Sequence, residues 1–373
     1  MDLPQNTPCP GEFIRKELEE RGWTQLDLAR ILNRTAANVN EIIQGKRAIL
    51  PETAIALGEA FATGAEVWMN RESAYRLSLA ERSTNDVRRR AHLYGFAPIK
   101  EMEKRGWIKK SDDPDAIAAE LKMFFEVDDL SIPPEIVART KKTGREIPLT
   151  PEQRAWCFRA RYLARSVSTK PFTPDAFQKG IRELRKLAAW PEECRKVSRV
   201  LSNMGIRFVV VEPLPRSRVD GAALWLDDDG PIIVVSLRYD RVDSFWHTLG
   251  HELSHIAHRD GLEVDIDLVG EDRKSPAELS SVELRADREA AALLIDSEEI
   301  DDFIVRVGPL YSRARINQFA NRIRIHPGVI VGQLQHRGEL KYSMMRDVLV
   351  KVRDIVTAEA LTDGWGHMTP TKE

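Results

Sequence analysis

The sequence predicts a mainly helical α+β chain, and three observations carry that assignment. Residues 11–80 fall into short amphipathic stretches separated by caps and turn residues, residues 206–237 hold three short β-rich runs, and those runs lead straight into segments of helical period. Helices first, then strands and helices mixed, describe a helical module followed by an α+β body. On this reading 1–82 is a five-helix module and 83–150 a helical connector with a linker. Residues 151–300 form the α+β domain, and 301–373 a helical extension.

Composition bounds the classes. At 373 residues, 42% hydrophobic and 31% charged, the chain is long enough for two or three ordinary globular cores, and a net charge of −2 names no partner. The start MDLPQNTPCPGEF lacks a basic region followed by an apolar run, and no apolar stretch reaches membrane-spanning length, so neither signal peptide nor membrane span is expected. Cys9, Cys157 and Cys194 are scattered without CxxC spacing, which argues against a disulfide framework and a cysteine zinc site. A cytoplasmic location is expected.

The first helix, GEFIRKELEER, places Phe13, Ile14 and Leu18 on one face and stops at Gly22. Thr24 caps a second, QLDLARIL, with Asp27 at the capping-box position. A tight turn around Asn33 leads to Thr35, which caps a third helix, AANVNEIIQ, closed by Gly45. Pro51 opens a fourth, and Ala65–Ala80 is the fifth. Two helices joined by a short turn, the second starting with small and polar residues, form the helix-turn-helix arrangement, whose second helix enters the major groove.

The run PGEFIRKELEERGWTQLDLARILNRTAANVNEIIQGKRAILPETAIALGEAF, followed by VWMNRESAYRLSLA, resembles the HigA-like branch of the Xre/Cro helix-turn-helix family over about 80 residues. The resemblance implies a double-stranded DNA operator as partner and, by analogy, a homodimer. Thr35, Ala36, Asn38 and Asn40 are the candidates for base edges, because asparagine pairs bidentately with adenine and small residues allow close approach. Gln25, Arg34, Lys46 and Arg47 are the candidates for phosphates. Charge supports this only locally: residues 1–82 carry ten Lys and Arg against twelve Asp and Glu, whereas 30–47 set Arg30, Arg34, Lys46 and Arg47 against Glu41. A dimerisation module without DNA binding is the plainer alternative.

The connector carries a basic run from Arg88 to Lys110, read as a solvated face before a phosphate-binding one, and an amphipathic helix at Asp115–Phe125. SIPPEIVARTKKTGREIPLTP, rich in Pro and charge, reads as an exposed linker, with Arg139–Ile147 open to self-cleavage. Three helical stretches follow at 151–204, with Trp156, Phe158, Phe177, Leu184 and Leu187 buried. Then IRFVVVE, AALWL and PIIVVSL read as strands, with turns at Asp220-Gly221 and Asp229-Gly230-Pro231. AALWL, 222–226, is the expected edge strand, suited to pairing with an extended peptide.

HTLGHELSHIAH, 247–258, contains HExxH as His251, Glu252 and His255. Residues four apart share a helix face about 6 Å apart along the axis, so both imidazoles can aim at one metal ion, and Glu252 can reach a water bound to it. His258 lies seven residues from His251, ~10 Å along the axis, too far to share the ion. A third donor is sought in SVELRADREAAALLI, a helical segment starting with Ser281: Glu283 as ligand, Asp287 four residues on as a carboxylate behind a ligand histidine, and Glu289 in reserve.

HELSH followed 28 residues later by Glu283 in ELRADREAAALLI resembles the ImmA/IrrE zinc metallopeptidases, whose later helix carries an ExxA(N/D)xxAAxLL pattern. The match covers roughly residues 200–340 and implies a zincin-like domain, His251, His255 and Glu283 as zinc ligands, and Glu252 as base. His247 stands where many relatives carry an apolar residue, and either lines the cleft or holds a buried polar contact; Tyr239 is a similar case. His326 and His336 read as surface or packing residues.

The expected function is a DNA-binding transcriptional regulator with a zinc-dependent endopeptidase, manganese being the alternative ion, that cleaves itself or a partner repressor or antitoxin. The rival is a HigA-like antitoxin or repressor whose zinc domain is a sensor or scaffold. A zinc hydrolase of a non-protein substrate is the third class.

Overall fold

The computed structural model describes residues 7–134, 148–226, 230–260, 263–268 and 279–364. The chain divides into two compact units, Met1–His92 and Leu93–Glu373.

In the first unit, α1 (Pro10–Arg21), α2 (Gln25–Ile31), α3 (Ala36–Ile43), α4 (Pro51–Phe61) and the start of α5 (Ala65–Phe96) enclose one core. Its centre is Ile14, Leu28, Val39, Ile43, Leu57 and Trp68, all nearly inaccessible. The local signals act as their chemistry requires. The Thr24 hydroxyl accepts the Asp27 N–H while Asp27 Oδ2 accepts the Thr24 N–H at 2.8 Å, a closed capping box. Thr35 caps α3 by accepting the Asn38 N–H, and Asn33 takes the left-handed conformation, φ 51°, that turns α2 into α3. The fifth helix does not stop at Ala80: it runs 32 residues in all, from Ala65 to Phe96, through the boundary expected at 82. Its last turns belong to the second unit, where Leu93 and Phe96 are buried.

The second unit begins with α6 (Ile99–Lys104) and α7 (Pro114–Phe125). These helices are not a free connector, because Met102, Leu121 and Phe125 share one core with Trp156 and Phe158 of α8 (Pro151–Ala164) and with one face of the sheet. The linker residues 135–147, including the candidate cleavage segment, lie outside the described residues. α9 (Pro174–Leu187), a 3-10 turn at Pro191–Lys196 and α10 (Val197–Met204) lead into the sheet.

The strands are β1 (Arg207–Val210), β2 (Val219–Trp225), β3 (Pro231–Val235), β4 (Glu263–Ile266) and β5 (Leu361–Thr362), in the order β4-β2-β3-β1-β5. Two expectations are corrected here. AALWL is not an edge: β2 lies between β3 and β4, both antiparallel to it, and the edge on that side is β4. Asp220-Gly221 is not a turn but part of β2, with Gly221 opposite Asp265. Both faces of the central strands are covered, with Phe208, Ala223, Ile233 and Val235 in one core and Val209, Ala222, Leu224 and Val234 in the other, which is why these runs are apolar throughout rather than alternating.

Helix α11 (Val242–His258) packs on the first of these faces, antiparallel to α12 (Ser281–Leu294). The cap of α12 is Ser280, whose hydroxyl accepts the Glu283 N–H, one residue before the expected position. The two helices approach closely because Gly250 faces Ala290: a methyl at Gly250 would stand 3.0 Å from the Ala290 Cα. The C-terminal part is not an appended extension. Helices α13 (Ser297–Val307), α14 (Arg313–Ile323), α15 (Pro327–His336) and α16 (Arg353–Thr357) contribute Ile300, Phe319, Ile330 and Val356 to the same core, and β5 closes the sheet.

Candidate metal centre and helix-turn-helix face

Helix α11 presents His251 and His255 one turn apart, both essentially inaccessible. Helix α12 brings Glu283 to them: its Oε2 is 3.1 Å from His251 Nε2 and its Oε1 3.8 Å from His255 Nε2. The opposite ring nitrogens are held by other carboxylates. Asp287 Oδ1 lies 3.2 Å from His251 Nδ1, and Asp260 Oδ2 lies 3.0 Å from His255 Nδ1, with Arg285 paired to Asp260 in turn. Each imidazole is therefore fixed with Nε2 turned toward Glu283, the orientation in which metal-binding histidines are usually held from behind.

Glu252, beside His251, is fully buried, and no protein donor reaches either of its oxygens. Space for it is made by Gly221 on β2, where an added Cβ would fall 2.2 Å from Glu252 Oε1. Asp265 on β4 completes the cluster, with Oδ1 3.4 Å from His251 Nε2 and Oδ2 unpartnered. One donor atom each from His251, His255, Asp265 and Glu283 lies within 4.8 Å of every other. Burial first, and then the neighbouring Asp265, push the Glu252 carboxyl well above its usual range. Asp265 moves the other way: burial opposes its ionisation, but His251 outweighs that and holds it low.

This donor set fits a divalent transition metal. His255 Nε2, Glu252 Oε1 and Oε2 and Asp265 Oδ2 are buried without a hydrogen-bond partner, and the carboxylates of Asp265 and the part-exposed Glu283 converge with the two imidazoles. Buried acceptors in such numbers call for a cation to compensate them. Imidazole with carboxylate suits zinc, and also manganese.

Sequence reasoning missed Asp260 and Asp265. Asp260 follows α11 by two residues and was within reach of a spacing argument, but Asp265 enters only through strand pairing. Glu289 does not join the cluster; it accepts from the Ser254 hydroxyl at 2.6 Å and meets His258 Nε2 at 2.9 Å. His247 Nε2 lies 3.5 Å from Asp287 Oδ1, and its ring is 5.0 Å from that of His336, so it stands behind His251. Tyr239 carries the Arg238 guanidinium over its ring, and His326 caps α15 by accepting the Gly328 N–H.

In the first unit, Thr35, Ala36 and Asn40 are exposed and Asn38 half-buried at the start of α3. The Thr35 hydroxyl is occupied as acceptor by its cap, and Asn40 Oδ1 accepts from Gln44 Nε2 at 3.1 Å. Gln25 and Lys46 are exposed and Arg34 half-buried, whereas Arg47 is paired with Glu41 at 2.8 Å and must exchange that partner to reach a phosphate.

Fold and geometry together define a chain of two parts, a capped helix-turn-helix module and an α+β body with a buried histidine–carboxylate centre. The helix-turn-helix family profile matches residues 14–68. Virulence-associated protein I of Dichelobacter nodosus is 34% identical over 79 residues, 21% of this chain and 73% of that protein. An uncharacterized HTH-type transcriptional regulator of Escherichia coli K12, YddM, is 32% identical over 88 residues, 24% of this chain and 93% of the relative. Through this module the chain belongs to the helix-turn-helix family. Among solved structures, Pseudomonas aeruginosa antitoxin HigA with the higBA promoter matches at 38% identity, covering 21% of this chain and 88% of that one, with a TM-score of 0.21. Among the described residues, no helix is long and apolar enough to cross a membrane.

Proposed function

We propose that the chain is a DNA-binding transcriptional regulator of HigA-like type whose second unit is a zinc-dependent endopeptidase of the ImmA/IrrE kind, with manganese the alternative ion. The family membership and the named regulator YddM support the DNA-binding part, with a double-stranded operator as partner. The observation that carries the peptidase part is Glu252, a wholly buried carboxylate with no donor, adjacent to two imidazoles whose Nε2 atoms turn toward Glu283.

In this reading His251, His255 and Glu283 hold the ion, and Asp287 and Asp260 keep the two rings in the tautomer that leaves Nε2 free. A zinc ion held there would supply a Lewis acid for a peptide carbonyl and would acidify a water in the site. Glu252 accepts the water's proton on its carboxylate and returns it to the departing amide nitrogen. Substrates are the chain's own linker, whose candidate segment 139–147 lies outside the described residues, or a partner repressor or antitoxin. A homodimer on a palindromic operator is expected by analogy with helix-turn-helix proteins.

A second reading, a repressor or antitoxin with a metal scaffold, is favoured by one observation: Asp265 gives the cluster a fourth protein donor, the number typical of structural zinc. The test purifies wild type and Glu252→Ala, quantifies metal, and follows the full-length band and candidate partners over time with zinc or manganese. Metal in both proteins with cleavage by wild type alone supports the peptidase. Metal in both, intact DNA binding and no cleavage by either moves the assignment to the scaffold.

A further inference from the structure

We infer that Asp265 is a fourth metal donor that occupies the position a catalytic water needs, so that the resting centre is closed and opens only when β4 moves. The inference rests on the metal-centre reading and concerns how that same site is regulated.

Geometry supplies the first argument. Metal–ligand bonds of ~2.0–2.2 Å place tetrahedral donors roughly 3.3–3.5 Å apart. Asp265 Oδ1 and Glu283 Oε2 lie 3.4 and 3.1 Å from His251 Nε2, and His255 Nε2 lies 3.8 Å from Glu283 Oε1. Asp265 therefore stands at ligand distance from His251 Nε2 and within 4.8 Å of the other donors, not behind them as Asp287 and Asp260 do. Four protein donors close a zinc site, while a hydrolytic one keeps three and a water.

Burial supplies the second. Aspartate is disfavoured in strands, and an ionised carboxylate out of water needs a compensating charge. Asp265 is 5% exposed, its Oδ2 has no hydrogen-bond partner, and its Oδ1 faces His251 Nε2. With Asp265 on the ion, Glu252 has no water to activate, which reconciles an intact base with a closed site.

The third argument is where Asp265 is mounted. β4 is four residues long, lies at the sheet edge, and pairs with β2 through a register irregularity between Val219 and Gly221. Beyond it, Asp267 is tied to Arg218 and Arg238, and the Leu268 N–H donates to Asp220 Oδ2 at 2.7 Å. The strand is thus anchored at its C-terminal end and, among the described residues, is the edge of the sheet on that side. A peptide substrate adding to that edge is the partner that fits, since main-chain pairing recognises an extended chain and shifts the strand carrying the latch.

The experiment loads the full-length chain with Co2+ and compares wild type, Asp265→Asn and Asp265→Ala by visible absorption, by chelator competition, and by titration with acetohydroxamate, a small bidentate metal ligand. The asparagine variant keeps the side-chain shape and guards against a folding defect in the alanine variant. Expected are a changed Co2+ spectrum in both variants, metal affinity lowered by about tenfold or more, as for loss of a shell partner, and a hydroxamate response in the variants but not in wild type. Identical spectra and affinities in all three, with hydroxamate perturbing wild type equally, overturn the inference even if wild type cleaves a substrate. Changed metal parameters without cleavage by any variant leave Asp265 a ligand and remove the peptidase reading. Failure of wild type to retain metal overturns both.

Discussion

Gly221→Ala tests the central geometry without touching a ligand. The new methyl would stand 2.2 Å from Glu252 Oε1 and 2.8 Å from Thr248 Cγ2, and no positive φ is involved, so the perturbation is purely steric. Glu252 is 0% exposed and has nowhere to retreat except toward Asp265 and His251. Overpacking of a close-packed interior costs about 1–3 kcal/mol, and in a domain of this size each kcal/mol lowers Tm by roughly 2–4 °C. Displacing a general base removes about 10²–10⁴-fold in rate. Differential scanning calorimetry, metal quantitation and the cleavage assay on the same preparation measure the three effects. The expected pattern is a lowered Tm, retained metal and lost cleavage. An alanine variant with wild-type Tm and wild-type cleavage would show that Glu252 does not fill the space beside β2, and the assignment of the base would fall.

Asp287→Ala and Asp260→Ala should each weaken metal binding about 10–100-fold, because each frees a ligand ring to rotate; chelator competition reads the change, and unaltered affinity refutes the role. Arg238→Ala leaves the buried Asp220 carboxylate and Asp267 without their shared cation, with an expected cost of about 3–5 kcal/mol; urea denaturation checks it, and a shift below 1 kcal/mol would contradict it. Thr35→Ala should cost about 1 kcal/mol as a lost N-cap and weaken operator binding, whereas Lys46→Ala should weaken binding evenly across DNA sequences and lower the salt slope by about 1; fluorescence anisotropy at several salt concentrations separates the two. Asp27 is held below its ordinary value by hydrogen bonds from the Thr24 side chain and then its backbone N–H. A carboxylate lowered in the folded state contributes stability above its unfolded value near 3.8 and loses it as pH falls through the folded value. Hydrogen-exchange protection factors at the start of α2, corrected for the intrinsic rate, should therefore fall as pH drops below about 4 in wild type and show no such acid step in Asp27→Asn.

Local chemistry was legible in the sequence wherever neighbours in the chain satisfy each other. Thr24 with Asp27, Thr35 with Asn38 and the turn at Asn33 involve residues within a few positions, so their pattern alone implies the structure that forms. His251, Glu252 and His255 belong to the same class, since a helix fixes their spacing, and Glu283 with Asp287 is a helical pair of the same kind. The misplaced boundary at 82 has a physical cause: no proline lies between Ala80 and Phe96, and the arginines at 88–90 are good helix formers that carry the helix past the less favourable Ser83–Asp86 stretch.

The sequence by itself determined the capped helices of the first unit, the helical face carrying His251, Glu252 and His255, and the apolar strands beneath, because hydrogen bonds and periodicity over a few residues decide each of them. Only tertiary structure decided that AALWL is an interior strand, that Asp265 enters the centre from β4, that Gly221 leaves room for Glu252, and that β5 joins the sheet from the far end of the chain. Strand order and register come from packing between segments distant in sequence, and a short apolar run reads the same whether it ends at an edge or lies between two neighbours. A carboxylate brought in by such pairing reaches the two histidines through position alone, and position is what the local pattern does not contain.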